Sequence, residues 1–298
     1  MPDLATRNFG RTGMKPSALA LGAAFLHGTD EAVQGIRLAL DLGINYLDSY
    51  PGHHEEHWGK ALSGVPRDSY YLQAKVGTHP DRRKDFSAET TRWSVEGSLR
   101  AMKVDYLDSV LIHDPDSYED PTGPGRVLDT LLEMKEKGLV RNIGLGTRDL
   151  KWHKQLIESG HADLLLTFLD YTLLSQTAAD EIFQTARSYD TGIILASAQG
   201  MGLLTGPEPD SDRESAMYPG KQPTAHRIWA WCQENSVNIR HLAVQYCLKA
   251  PVESIVMVGP SSVQQVREAY EAATTDLPEE VWLAFETEFG IERGYGAG

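Results

Sequence analysis

One alternation runs the length of this chain and limits what it can become. A short, nearly continuous apolar run is followed by a longer segment of helical period, and the pair recurs eight times. The apolar runs are Ser17 to Gly22, Asn45 to Tyr50, Tyr70 to Gly77, Asp105 to His113, Arg141 to Gly146, Asp163 to Tyr171, Gly192 to Ser197 and Glu253 to Gly259. Helical segments are predicted over 30–42, from about 55, over 88–103, 127–137, 150–158, 178–189, 225–249 (as two helices) and 263–273, with a last helix over 278–289. Asp30 is expected to cap the first helix and Gly43 to stop it. Strands apolar on both faces belong in a parallel sheet covered on both sides. Eight strand–helix units in 298 residues predict an α/β fold, a (β/α)8 TIM barrel forming a single domain over 1–298. A doubly wound open sheet would place a glycine-rich turn after an early strand. Gly144-x-Gly146 and Gly200-x-Gly202 come late and lack the third glycine.

Lys and Arg number 28 against 42 Asp and Glu, a formal charge of -14. That balance disfavours nucleic acid and anionic membrane surfaces, both of which reward basic residues. An anionic ligand would need a locally basic pocket. Cys232 and Cys247 form no CxxC motif and read as reduced core thiols of a cytoplasmic protein. Asp3, Arg7, Arg11 and Lys15 interrupt the opening segment, and no run of 18 apolar residues occurs. The expected partner is a small-molecule substrate; the oligomeric state is open.

In such a barrel, active sites lie at the C-terminal strand ends. The polar residues there are Asp48, Lys75, His113 with Asp114, Thr147 with Arg148, Asp170 with Tyr171, and Ser197. Asp48, Lys75 and His113 end three consecutive strands, spaced roughly 5 Å apart. A carboxylate, an ammonium and an imidazole can converge there for acid–base work. The competing reading is a salt bridge at the barrel mouth beside a hydrogen-bonded core histidine.

FGRTGMKPSALALG (Phe9 to Gly22), GINYLDS (Gly43 to Ser49), EEHWGKAL (Glu55 to Leu62) and AKVG (Ala74 to Gly77) follow one another in order. DYLDSVLIHDPD (Asp105 to Asp116), EMKEKGLVRNIGLG (Glu133 to Gly146), GLLTG (Gly202 to Gly206) and MVGPSSVQQVREA (Met257 to Ala269) continue the series. With these motifs the chain resembles the aldo-keto reductase family from about Asn8 to Ala273, nearer its aldose-dehydrogenase-like branch. The family moves a hydride between a nicotinamide cofactor, usually NADPH, and an aldehyde or ketone, using Asp, Tyr, Lys and His. The resemblance gives Asp48 the role of holding Lys75, Lys75 that of depressing the proton donor's pKa, and His113 that of orienting the carbonyl. The segment from Asp48 to Gly59 is shorter than the family pattern, and His53 stands where the Tyr is expected. Tyr50, His53 and His54 remain as proton-donor candidates.

The resemblance implies NADP(H) or NAD(H) bound at the rim. Gly22, Thr147, Ser197 and Gly259 would serve the nicotinamide end, with Tyr171 as a stand-in for the family's stacking aromatic. Ser261 and Ser262, opening the last barrel helix, suit a phosphate, with Gln265 and Glu268 towards the adenosine. Gln265 stands where many members carry an Arg for a 2′-phosphate. The insert from Gln199 to Gln222 is expected to fold over cofactor or substrate, with Asp210, Asp212 and Glu214 solvated.

His53 and His57 have i,i+4 spacing, but HExxH fails because Trp58 stands where a second His is needed. This run is read as a polar helix start, and no metal is expected. The leading expectation is an NAD(P)(H)-dependent oxidoreductase acting on a sugar-like or small carbonyl or alcohol substrate. The alternatives are a non-redox lyase, dehydratase or epimerase on the same barrel, or a regulatory nicotinamide-binding protein like the potassium-channel β subunits.

Overall fold

Apolar β-branched runs become strands and the amphipathic segments between them become helices, because each strand's outer face needs a helix to cover it. The computed structural model describes residues 3–22, 29–209 and 218–297. Its strands are β1 (Leu19–Gly22), β2 (Tyr46–Asp48), β3 (Tyr71–Val76), β4 (Leu107–His113), β5 (Val140–Gly146), β6 (Leu164–Phe168), β7 (Gly192–Ala196) and β8 (Ser254–Val258). Each pairs in parallel with the next, and β8 pairs with β1, so the sheet closes as an eight-stranded barrel. The crossovers carry α1 (Thr29–Asp41), α2 (Glu55–Ala61), α3 (Ala88–Met102), α4 (Glu119–Thr122), α5 (Val127–Glu136), α6 (Leu150–Glu158) and α7 (Gln184–Ser188). The chain ends with α8 (Gln222–Glu234), α9 (Ile239–Leu248), α10 (Val263–Thr274) and α11 (Glu279–Phe289).

Phe9, Met14, Ala20, Tyr46, Leu111, Leu164, Ile194 and Ile255 pack inside the barrel. A larger apolar shell lies between strands and helices. Cys232 and Cys247 are buried free thiols. Among the described residues, no helix is long and apolar enough to cross a membrane.

The register sets the site. Gly22 pairs with Asp48, Asp48 with Gln73, Lys75 with Leu111, and His113 with Gly146. Going from β2 to β4, each polar residue sits two positions beyond its neighbour's pairing level. Two residues is the side-chain period of a strand, so all three face the same way.

Several expectations need correcting. Asp30 lies inside the first turn of α1 and complements its dipole there; it is not the cap. The predicted 178–189 helix opens as a π-turn over Ala179–Phe183 before becoming α7. The helix expected from Ala225 starts at Gln222, where Pro223 suits the first turn. Strand β6 ends at Phe168 because Leu169 adopts φ 68°, which breaks the extended run three residues short of Tyr171. Asp210, Asp212 and Glu214 lie outside the described residues.

Candidate active site

Asp48 lies at the end of β2, nearly buried, and accepts two hydrogen bonds. One comes from Gln73 Nε2 at 2.6 Å and the other from Lys75 Nζ at 2.5 Å. Gln73 is itself fixed from below: its Oε1 accepts from Tyr46 at 2.8 Å and from Ser109 at 3.3 Å. Lys75 Nζ also donates to the Ser49 carbonyl at 3.2 Å. The ammonium therefore enters a pocket that already offers it a carboxylate and a carbonyl.

Above this pair lies the loop that joins β2 to α2. It folds Tyr50 inward, with Lys75 Nζ 4.7 Å from the ring centroid. The rings of Tyr50 and His113 meet edge to face at 5.4 Å. Gly52 makes this turn possible. Its φ is 76°, and a Cβ there would stand 2.4 Å from Pro80 Cδ. The His53 N–H donates to the Tyr50 carbonyl at 3.0 Å, and its ring lies against the Tyr50 ring at 5.1 Å. Behind the loop, Glu55 is buried and accepts from Ser49 and Ser98, each at 3.0 Å. Burial pushes its carboxyl pKa up, against those two hydrogen bonds and Lys75.

Two titrations decide which group carries a proton. Burial pushes the His113 imidazole down to about 3, helped by Lys75 and Arg83, so it is neutral at physiological pH. Burial raises the Tyr50 phenol to about 12, helped by Asp114 and Asp48 and opposed by Arg83. The Lys75 ammonium is bonded to Asp48 and lies over the face of the Tyr50 ring.

A cavity of about 340 Å³ is lined by Asp48, Tyr50, Lys75 and His113, and by Gly22, Thr147, Ser197 and Gly259. Sequence reasoning missed its apolar walls, Phe168, Leu166, Ala196 and Met257; Arg148 and Asp114, already singled out at the strand ends, supply polar surface. Phe168 was legible only once β6 was known to end there. Tyr50, His113 and Asp114 are shared with a second cavity of about 340 Å³, lined by His53, Thr78, Arg83 and Lys84. Ser197, Met257 and Gly259 are shared with a third, of about 430 Å³, that runs towards α10 past Arg240, Ser261, Gln265 and Glu268. Asp114 and Ser197 both hold positive φ, at 41° and 63°, so part of the rim's backbone is strained.

Two residues expected at the cofactor hold other partners in the structure. Tyr171 is buried between Tyr246 and Phe183 and its hydroxyl donates to the Tyr295 carbonyl, because the early end of β6 turns it into the outer shell. Ser262 lines neither arm; its hydroxyl caps α10 by accepting from the Gln265 N–H at 3.2 Å. Ser261 donates from its N–H and its hydroxyl to Gln265 Oε1, at 2.8 and 3.0 Å. Arg240, which sequence reasoning also missed, donates to Glu268 at 2.8 Å and to the Thr205 carbonyl at 2.6 Å.

Comparison with known proteins fits this arrangement. The profile of the aldo/keto reductase family matches residues 18–287. The chain belongs to the aldo/keto reductase family. L-galactose dehydrogenase of Arabidopsis thaliana is 32% identical over 92% of this chain and 89% of its own. D-threo-aldose 1-dehydrogenase of a Pseudomonas species is 28% identical over 91% of this chain and 93% of its own. The solved holo form of an aldo-keto reductase from Bacillus halodurans superposes with a TM-score of 0.81, at 21% identity, over 99% of this chain and 100% of that one. The chain is therefore an oxidoreductase of a family that works with nicotinamide cofactors, on its aldose-dehydrogenase-like side.

Proposed function

We propose that this chain is an NAD(H)-dependent aldose dehydrogenase, oxidising the anomeric hydroxyl of a free sugar to the lactone. The observation that carries this reading is the grouping of Asp48, Lys75, Tyr50 and His113 on one cavity that opens into a second arm reaching α10. The two arms make an elongated groove that fits a dinucleotide. At one end Gly22 leaves room beside Met257, whose side chain a Cβ would meet at 3.3 Å. At the other, Ser261 presents two donors held on Gln265. A nicotinamide dinucleotide bound here supplies the hydride acceptor or donor. Gly22, Thr147, Ser197 and Gly259 would hold one end of it and Ser261, Gln265 and Glu268 the other.

The chain's own residues handle the proton. Tyr50 Oη takes the hydroxyl proton in oxidation and returns it in reduction. With its pKa near 12 the phenol is protonated at neutral pH, so oxidation accelerates as pH rises. His113 stays neutral and offers a hydrogen bond to the reacting oxygen without competing for its proton. Lys75, anchored by Asp48 and Ser49, fixes the Tyr50 ring from its face. The Tyr50 ring beside Lys75 and His113 supports this reading over a non-redox mechanism.

A sugar suits the walls. Arg148, Asp114, Arg83, Lys84 and Thr78 present donors and acceptors for hydroxyls, and Phe168 gives an apolar face for the ring. NAD(H) is favoured over NADP(H) by the charges of the far arm. Among the described residues, its lining cation is Arg240, which is already paired with Glu268, and Gln265 is neutral. A 2′-phosphate would gain no charge-assisted bond, a loss of about 10–100-fold in affinity.

The test is a panel of free aldoses with NAD and NADP, followed by formation of the reduced cofactor and identification of the lactone. One equivalent of NADH per lactone is expected, with NADPH binding at least about tenfold more weakly than NADH. Failure of every aldose to reduce NAD would overturn the substrate reading. Tighter binding of NADPH would overturn the cofactor reading.

A further inference from the structure

We propose that His54, Glu56 and His57 form a binding site for a divalent transition-metal ion, outside both arms of the groove. By spacing alone the sequence pairs His53 with His57 and offers no HExxH. The structure turns the chain at His54, which takes φ 62° and ψ 36° just ahead of α2. The His57 N–H then donates to the His54 carbonyl at 2.9 Å. This turn stacks the two imidazoles, with centroids 5.1 Å apart and planes within 4°. Residues three apart become partners in place of the four-apart pair His53 and His57.

Glu56 lies beside both rings. Its Oε1 is 3.6 Å from His54 Nδ1 and 3.8 Å from His57 Nε2, and the three ligand atoms lie within 4.8 Å of one another. Metal–ligand bonds of about 2.0–2.2 Å in a tetrahedral site put ligand atoms about 3.4 Å apart. The carboxylate oxygen is already close to that separation from both nitrogens. Closing the remaining gap asks movement only of His54 and Glu56, each 58% exposed, while His57 stays fixed.

His57 supplies the fixed ligand. Its side chain is 7% exposed, and its Nε2, 3.8 Å from Glu56 Oε1, is the nitrogen turned to the site; the unpartnered buried atom is Nδ1, which an ion at Nε2 would not reach. Two imidazoles and one carboxylate favour zinc, nickel, cobalt or copper over magnesium or calcium. Water would complete the coordination. The bound ion would tie His54 to α2 and stiffen the turn that leads to Tyr50; it would take no part in the chemistry.

The experiment uses the untagged full-length protein, stripped with chelator and titrated with Zn2+ and with Mg2+ by calorimetry. One saturable Zn2+ site is expected, unaffected by excess Mg2+, with a rise in thermal midpoint on binding. His54→Ala and Glu56→Gln, both at exposed positions, should each weaken Zn2+ binding by at least about tenfold, since even outer-shell partners are worth 10–100-fold. His53→Ala should leave it unchanged. Equal Zn2+ affinity in wild type and His54→Ala, or displacement of Zn2+ by Mg2+, would overturn the proposal. Because the ion sits outside the groove, the stripped protein should keep full dehydrogenase turnover. Loss of that turnover on stripping would contradict the non-catalytic role assigned here.

Discussion

Replacing Lys75 with Met removes an ammonium and keeps a stem of similar length. Its side chain is 3% exposed and its carboxylate partner 8% exposed. In Lys75→Met, Asp48 keeps the 2.6 Å bond from Gln73 but loses its cation, and the Ser49 carbonyl loses a donor. Stranding one member of a buried pair costs about 3–5 kcal/mol, whereas replacing both charges is often close to neutral. The single variant should therefore lose about 3–5 kcal/mol of unfolding free energy, a large part of a typical domain's 5–15 kcal/mol. Lys75→Met combined with Asp48→Asn should recover most of that loss. The assay is equilibrium urea unfolding of wild type, both single variants and the double variant, analysed as a cycle. A loss below about 1 kcal/mol in Lys75→Met, or strict additivity in the double variant, would refute the claim that these charges form one buried unit.

Three further outcomes follow from the same geometry. His153 is fully buried against the Thr147 carbonyl at 2.9 Å, and burial pushes its pKa down to about 4. The unfolded chain takes up a proton near pH 6.5 that the folded protein refuses until about 4, so stability present above 6.5 is lost as pH falls through that window, by about 3 kcal/mol. His153→Gln should remove that share of the acid sensitivity in paired urea titrations. Gly52→Val should lower kcat at least about tenfold with a stability loss of about 1–3 kcal/mol, because φ 76° and the Pro80 contact forbid its side chain without moving Tyr50; unchanged kcat would show that the loop is not what places the phenol. Gln265→Arg should tighten NADPH about tenfold or more and leave NADH nearly unchanged, read by fluorescence titration.

The strand–helix alternation made the barrel legible, since each apolar run corresponds to a strand within a few residues. Asp48, Lys75 and His113 were legible because a parallel barrel lines up strand ends, and the two-residue climb in register brings them together. What sequence patterning lacked was backbone direction beyond the strands. Tyr50 turns inward only because Gly52 reaches a left-handed conformation against Pro80. Tyr171 turns outward because Leu169 does the same at the end of β6. Single residues with positive φ leave no hydrophobic period to read. Gln73 was hidden for another reason: a polar residue in an apolar strand becomes informative only when its partners, Tyr46, Ser109 and Asp48, are known. Arg240 lies on α9 and reaches the groove from the far side, paired with Glu268 on α10.

The claim on which the mechanism rests is that the Tyr50 hydroxyl carries the proton while His113 stays neutral. The direct measurement is the pH dependence of kcat/KM for aldose oxidation in wild type and Tyr50→Phe. Wild type should show log kcat/KM climbing from neutral into alkaline pH with a slope near one, and Tyr50→Phe should be slower by about 10²–10⁴-fold with that rise abolished. Tyr50→Phe retaining both the wild-type rate and its slope would contradict the account and move the proton to another group.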